Sequence, residues 1–223
     1  MRQEIKPVRK IGKGKGSLRG LTYSKKNDTH RAFESSLERD FLEILEFDNN
    51  VESFCEQPVE ILYLHEGKEH RYTPDVFVSY RKDLEISASM SSLLIEVKYR
   101  ETLKEKWSEF KPKFKAAKAY AEKRGWKFKI ITEKEIRTTY LSNIKFLLPY
   151  RKAKFVNTSD TELLLASIDE LKETCPEELI LFAARDRKKQ AELLYCLWHL
   201  ISFGIISCDL SQPLNMRTEI WQW

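Results

Sequence analysis

The chain has 223 residues, of which 42% are hydrophobic and 33% charged, a length that allows one large domain or two small ones. Seven Gly and seven Pro exclude collagen-like and low-complexity classes, and no apolar run reaches the roughly 18–20 residues of a membrane span. The basic start lacks the apolar stretch of a secretory signal. The four Cys form no CxxC pair, which argues against a zinc site or a disulfide framework and indicates a reducing, cytoplasmic location.

The net charge of +5 hides a strong asymmetry along the chain. Residues 1–31 carry ten Lys/Arg against two acids, and residues 98–129 carry twelve against four. Between these basic blocks, residues 32–97 carry fifteen acids and five bases. Basic blocks attract nucleic acids through counterion release, whereas the acidic block is either a solvated surface or a source of carboxylates for a metal.

The predicted elements begin with a basic arm at 1–30 that orders on nucleic acid. Phe33, Leu37 and Phe41 recur at helical spacing, so we expect a helix over 31–47. The segments that follow are predicted as strands at 51–55, 59–64, 71–80 and 92–99, a basic helix at 103–124, a strand at 126–132, and helices at 133–137 and 139–148. The strands have the spacing of a meander, and the strand–helix–strand unit favours a parallel pair within a mixed sheet.

A domain boundary is predicted at Pro149. Beyond it, the sequence predicts helices at 161–172, 177–182 and 188–201, followed by a small hairpin. This order is typical of a winged-helix domain, a class that binds DNA or protein. After the basic arm, two domains are therefore expected, at 31–148 and, winged-helix-like, at 149–223.

Two short motifs carry the chemistry of the first domain. Asp75 follows Pro74 at a predicted strand, and Glu96-Val97-Lys98 closes the next one. Alternation along a strand puts Glu96 and Lys98 on one face and the Val97 side chain in the core. If the two strands pair, Asp75 lies beside Glu96, and two carboxylates with a backbone carbonyl suit Mg²⁺. A lysine beside such a metal orients a water or stabilises charge on a phosphate, which is the arrangement of the PD-(D/E)xK nucleases.

A third acid is expected from the first helix, where Glu34 and Glu38 lie four residues apart. Glu38 adjoins the apolar stripe and is the preferred metal ligand, whereas Glu34 fits a solvated charge near the helix start. The predicted α/β fold is thus a restriction-endonuclease-like mixed sheet flanked by helices.

The motifs in order resemble a known family. The runs FESSLERDFLEILEFDNNVESFCEQPVEI, YTPDVFVSY, LLIEVKYRETLKEKW and KFKIITEKEIR resemble the TnsA endonucleases of heteromeric transposases, over residues 20–150. The tail LLYCLWHLISFGIISCDLSQPLNMRTEIW resembles the small C-terminal domain of that family.

The resemblance implies an Mg²⁺-dependent DNA endonuclease that cuts the 5′ ends, on the non-transferred strand, of a transposon. Its partners would be double-stranded DNA, a TnsB-type transposase that cuts and joins the 3′ ends, and a TnsC-type AAA+ regulator bound by the C-terminal domain. Glu38, Asp75 and Glu96, with the Val97 carbonyl, would hold one or two ions, Mn²⁺ substituting for Mg²⁺, and Lys98 would be the catalytic lysine.

Two alternatives remain open at this point. One is a restriction- or repair-type nuclease that acts alone, and the other is a non-catalytic module that bridges DNA. In each case the basic helix predicts salt-sensitive DNA binding through Lys111, Lys113 and Lys115.

Overall fold

The computed structural model describes residues 6–8, 19–151 and 157–222, so half of the predicted arm, 1–5 and 9–18, lies outside the described residues. The chain divides into two compact units, Met1–Ile136 and Arg137–Trp223. None of the helices in the described residues combines the length and apolar character that a membrane span requires.

The first unit contains eight strands and five helices among its described residues. In chain order they are β1 (Gly20–Ser24), β2 (Thr29–Phe33), α1 (Ser36–Phe47), β3 (Val51–Glu56), β4 (Ile61–His65), β5 (Lys68–Tyr72), β6 (Val76–Tyr80), α2 (Glu85–Ala88), β7 (Leu93–Val97), α3 (Arg100–Glu105), α4 (Trp107–Glu122), β8 (Lys127–Ile131) and α5 (Glu133–Ile136).

Four of these strands form the central sheet, in the order β3-β6-β7-β8. β6 is antiparallel to β3 and to β7, whereas β7 and β8 are parallel. A parallel pair needs a crossover connection, and α3 and α4 supply it between β7 and β8. The predicted parallel pair within a mixed sheet is therefore confirmed.

Both faces of the central sheet carry apolar side chains, because β7 is buried along its whole length. On one face, Phe77 and Leu94 pack with Phe110, Phe114 and Ala117 of α4. Alternation directs Ile95 and Val97, also buried, to the opposite face, and α1 packs against β3 and β7. Full burial of such a side chain contributes about 1.5–3 kcal/mol to the stability of the fold. The predicted class, a mixed α/β sheet flanked by helices, is confirmed.

The N-terminal part of the unit differs from the sequence-based expectation. Residues 20–33, expected as the end of an arm and the start of a helix, form the antiparallel hairpin β1–β2. The helix begins only at Ser36, because the Ser35 side chain caps it by accepting a hydrogen bond from the Glu38 backbone N–H.

The predicted strand at 71–80 is in fact two strands, β5 and β6, with Thr73, Pro74 and Asp75 between them. Proline has no N–H to donate to a ladder, which accounts for the break. β5 pairs with β4 in a separate two-stranded sheet, so the expectation of one continuous meander was wrong. Asp75 consequently lies in the connection just before β6 and not on a strand.

The predicted helix at 103–124 is divided between α3 and α4 at Lys106. Pro112 lies inside α4. The face of α4 that carries Phe110, Phe114 and Ala117 stays continuous across it.

The second unit begins at Arg137, twelve residues before the boundary expected at Pro149. Its elements are α6 (Thr139–Arg151), α7 (Thr158–Leu171), α8 (Pro176–Ala183), α9 (Arg187–Phe203), β9 (Ser207–Cys208) and β10 (Ile220–Trp221). The boundary lies earlier because α6 packs on α9, with the Phe146 and Trp198 rings 5.2 Å apart. After α6, three helices and a short antiparallel pair follow in the expected order.

Candidate active site

Asp75 is held in place by the backbones of two neighbouring strands. Its Oδ2 accepts a 2.8 Å hydrogen bond from the Val97 N–H. Its carbonyl oxygen accepts a 2.8 Å hydrogen bond from the Gln57 N–H. Val76 pairs with Ile95 in the β6–β7 ladder, so the residue before Val76 lies opposite the residue after Ile95, and Asp75 faces Glu96.

The Gln57 backbone is strained at the point where it supports Asp75. Its φ is +45°, in the left-handed region, a conformation that costs a non-glycine residue on the order of 1 kcal/mol. Its side chain is buried, and Oε1 has no hydrogen-bond partner among the described residues. Gln57 therefore anchors Asp75 through its backbone.

Lys98 joins the two carboxylates. Its Nζ lies 3.2 Å from Asp75 Oδ2 and 3.2 Å from Glu96 Oε1. Glu96 is the second-last residue of β7 and lies two residues before Lys98. The alternation predicted from the sequence places both side chains on one face, and the structure confirms it. The Asp75, Glu96 and Lys98 side chains therefore form one cluster at the end of β7.

Two further residues contact Glu96, and neither of them was identified from the sequence as part of the site. The Tyr72 hydroxyl, at the end of β5, donates a 2.6 Å hydrogen bond to Glu96 Oε2. Lys113 Nζ, from α4, lies 3.7 Å from Glu96 Oε1. Lys113 lies on the sheet-facing side of α4, between Phe110 and Ala117. A lysine within an apolar stripe is visible in the sequence and could have marked Lys113 as a residue directed toward the sheet.

The electrostatics of the cluster follow from burying two acids close together. Burial, and next the charge of Glu96, raise the pKa of Asp75 from its ordinary 3.8 to about 7. Burial alone would lower the pKa of Lys98, but the charges of Asp75 and Glu96 outweigh it and raise that pKa. Burial and the adjacent Glu96 also raise the pKa of Tyr72, which keeps its hydroxyl protonated as a donor.

Glu38 lies within electrostatic range of this cluster, but its oxygens have other partners. Oε2 accepts from the Glu34 N–H at 2.8 Å and Oε1 from the Ser35 hydroxyl at 3.0 Å. Because the backbone donor is Glu34, one residue before the Ser35 N-cap, this is a variant of the capping box. Burial and the charge of Asp75 raise the pKa of Glu38, so the acid that caps α1 also senses the Asp75 charge.

The donor set of the site fits Mg²⁺. Among the described residues, no three His, Cys, Asp or Glu side chains gather closely enough to hold an ion by themselves. Mg²⁺ binds through one or two carboxylates and completes its shell with waters and phosphate oxygens. Asp75 and Glu96 supply two carboxylates of that kind, and the Val97 side chain is buried as predicted, with its backbone beside Asp75.

Two models of known protein families match this chain. The family model described as TnsA-like endonuclease, N terminal, matches residues 48–133, and the model described as TnsA endonuclease, C terminal, matches residues 135–210. The comparison with curated proteins gives no match. The first match contains Asp75, Glu96 and Lys98, and the second begins within two residues of the boundary between the compact units. The chain therefore belongs to the TnsA endonuclease family, whose members are transposition-related endonucleases.

Proposed function

We propose that this chain is an Mg²⁺-dependent PD-(D/E)xK endonuclease that cuts the 5′ ends, on the non-transferred strand, of a transposon. A TnsB-type transposase would act on the other strand, so that the two enzymes together release the element. Its substrate would be the double-stranded DNA of the transposon ends, so we expect the reaction in the bacterial cytoplasm.

The observation that carries the proposal is the position of Lys98, with Nζ 3.2 Å from an oxygen of both Asp75 and Glu96. A buried and a partly buried carboxylate held close together repel each other unless cations lie beside them. A site of this kind is suited to phosphoryl chemistry, where charge develops on phosphate oxygens and must be offset. A bound Mg²⁺ would lower the pKa of an attacking water and offset that charge.

Each residue has a distinct task in this scheme. Asp75 and Glu96 hold the cation, and the Val97 N–H and Tyr72 hydroxyl fix their orientation. The Lys98 ammonium, kept charged by its two partners, faces the phosphate and stabilises negative charge there. Hydrolysis by water would leave a 5′-phosphate and a 3′-hydroxyl.

The test uses Asp75→Asn and Lys98→Met in a reconstituted reaction with the transposase, the regulator and labelled transposon ends. Both variants are expected to lose 5′-strand nicking by at least about 100-fold, the scale of losing one transition-state contact, and to keep 3′-strand joining. Matched controls are Asp83→Asn and Lys104→Met, since both residues form exposed ion pairs, with Arg81 and Glu101. Normal 5′ nicking by Asp75→Asn would refute the proposed site.

The same assay separates the other two functions that the sequence allows. Nicking by the purified chain with Mg²⁺ and no partner would indicate a stand-alone nuclease. Full transposition with Asp75→Asn would indicate a non-catalytic bridging module.

We further propose that the second unit binds the TnsC-type regulator. Leu181 and Phe182, at the end of α8, are 60% and 49% exposed, and adjacent exposed apolar side chains mark interaction sites. Leu181→Ser with Phe182→Ser is expected to weaken regulator binding at least about ten-fold, as loss of interface anchors does. Leu163→Ser, on α7 and less exposed, is the control, and equal binding by all three proteins would refute this surface.

A further inference from the structure

Lys113 differs from the other lysines of α4 in where its side chain lies. Lys111, Lys115 and Lys118 are exposed on the helix surface. The side chain of Lys113 is only 20% exposed and lies on the side of α4 that packs on the sheet. Lys113 therefore does not share the exposed face of α4 with Lys111 and Lys115.

Aromatic rings direct the Lys113 ammonium toward the acidic cluster. Its Nζ lies 4.3 Å from the ring centre of Phe110, 5.0 Å from that of Tyr72 and 5.4 Å from that of Phe114. Ring faces attract a cation, more strongly where water is excluded. The three rings and Glu96 together hold the ammonium beside Glu96, between α4 and the sheet.

The oxygens of Glu96 are divided among three donors. Oε2 accepts the Tyr72 hydrogen bond, and Oε1 faces both Lys98, at 3.2 Å, and Lys113, at 3.7 Å. Lys98 also contacts Asp75, so it joins the two acids. Lys113 reaches Glu96 from α4. Its ammonium attracts Oε1, the oxygen that a divalent cation would need as a ligand.

We propose that Lys113 is a positioning residue. Its ammonium contacts Glu96 Oε1 until a divalent cation binds there, and its positive charge then remains beside the substrate phosphate. The inference rests on the proposed function of the same site. Like charges repel, so Lys113 weakens divalent-cation binding in the free protein. Its positive charge stabilises the negative charge that develops on the phosphate during cleavage, so Lys113 also speeds cleavage.

The two effects give a signature that a merely structural lysine would not produce. In Lys113→Met the apolar stem remains against Phe110 and Tyr72, and only the charge is lost. The expected result is Mn²⁺ binding at least about five-fold tighter than in the wild type, because two unit charges about 4 Å apart repel by that factor even in bulk water and Mn²⁺ is divalent. Slower 5′-strand nicking at saturating Mn²⁺ is expected together with it.

The measurement is the Mn²⁺ dissociation constant of the full chain without DNA, from the electron paramagnetic resonance signal of free Mn²⁺. Lys115→Met, which removes an exposed charge of the same helix, should leave the constant unchanged. Lys113→Arg keeps the charge and should also retain wild-type affinity. A dissociation constant for Lys113→Met equal to or weaker than that of the wild type overturns the inference, and Lys113→Gln repeats the test if the Met variant does not fold.

Asp75→Asn distinguishes this inference from the proposed function. If Asp75→Asn loses Mn²⁺ binding and nicking while Lys113→Met binds Mn²⁺ like the wild type, only the role of Lys113 fails. If Asp75→Asn binds Mn²⁺ and nicks DNA normally, the proposed site itself fails.

Discussion

The Tyr72 hydroxyl donates a 2.6 Å hydrogen bond to Glu96 Oε2, and both residues are buried. Tyr72 ends the β4–β5 hairpin and Glu96 lies in β7 of the central sheet, so this bond ties two separate sheets together at the site. A buried carboxylate oxygen that loses its donor bears the full cost of its desolvation. The bond therefore contributes both to stability and to the orientation of a proposed metal ligand.

Tyr72→Phe is accordingly expected to lower the free energy of unfolding by about 1–3 kcal/mol, the cost of one unsatisfied buried acceptor. Urea denaturation in the presence of a chelator measures it. Tyr63→Phe, on the same hairpin and only partly buried, should change stability by less than about 0.5 kcal/mol, as surface substitutions usually do. Equal stabilities of the two variants would mean that the Tyr72 bond contributes nothing.

Glu38 requires a test that separates its capping role from its proposed role as a ligand. Glu38→Gln keeps the side-chain acceptor that a capping box needs and removes the charge next to Asp75, so stability should be retained while 5′ nicking falls. Ser35→Ala removes the cap and should cost about 1 kcal/mol of stability with nicking preserved. Thermal unfolding and nicking rates, measured on both variants, give the comparison. Unchanged nicking by Glu38→Gln would show that Glu38 caps the helix and is not a metal ligand.

The central part of the site was predictable because it depends on local periodicity. The relation between Glu96 and Lys98 follows from strand alternation, and Val97 faces the core for the same reason. The capping box of Ser35 and Glu38 was also readable, since S-x-x-E before an apolar run is its signature.

Tyr72 and Lys113 were not predictable as a pair, because only the tertiary packing of a hairpin and a helix brings them to Glu96. The β1–β2 hairpin was missed for a related reason. Its attachment is polar, since the Lys26 ammonium donates to the carbonyl oxygens of Asp48 and Val51, and such contacts leave no hydrophobic period in the sequence. The boundary at Arg137 depends on packing of α6 on α9, which Pro149 does not reveal.

The raised pKa of Asp75 predicts a pH dependence of stability. A carboxyl group whose pKa is about 7 in the folded state and near 3.8 in the unfolded state is more readily protonated when folded. The folded state therefore loses stability as pH rises from about 4 to 7, and no further loss follows above that range. In chelator, the unfolding temperature of the wild type minus that of Asp75→Asn should fall as pH rises from 5 to about 8.

Asp83→Asn is the control for that titration. Asp83 is exposed, and its hydrogen bond with Arg81 lowers its pKa, so its contribution to stability changes only in acid. The difference between wild type and Asp83→Asn should consequently stay constant over the same interval. A constant difference for Asp75→Asn would show that its carboxyl group titrates alike in both states.

The exposed lysines of α4 give the last prediction, which concerns DNA affinity. Lys111 and Lys115 lie on the solvent-facing surface of the helix that follows the site. Each lysine that neutralises a phosphate contributes close to one unit to the slope of log affinity against log salt. Lys111→Gln with Lys115→Gln should therefore weaken binding to duplexes of any sequence and reduce that slope by up to about two. Fluorescence anisotropy across a salt series measures both quantities, with Arg187→Gln and Lys188→Gln, exposed on α9, as the charge-matched control. An unchanged slope in the α4 variant would show that α4 does not contact the phosphate backbone, and an equal loss in the control would show that the effect is not specific to α4.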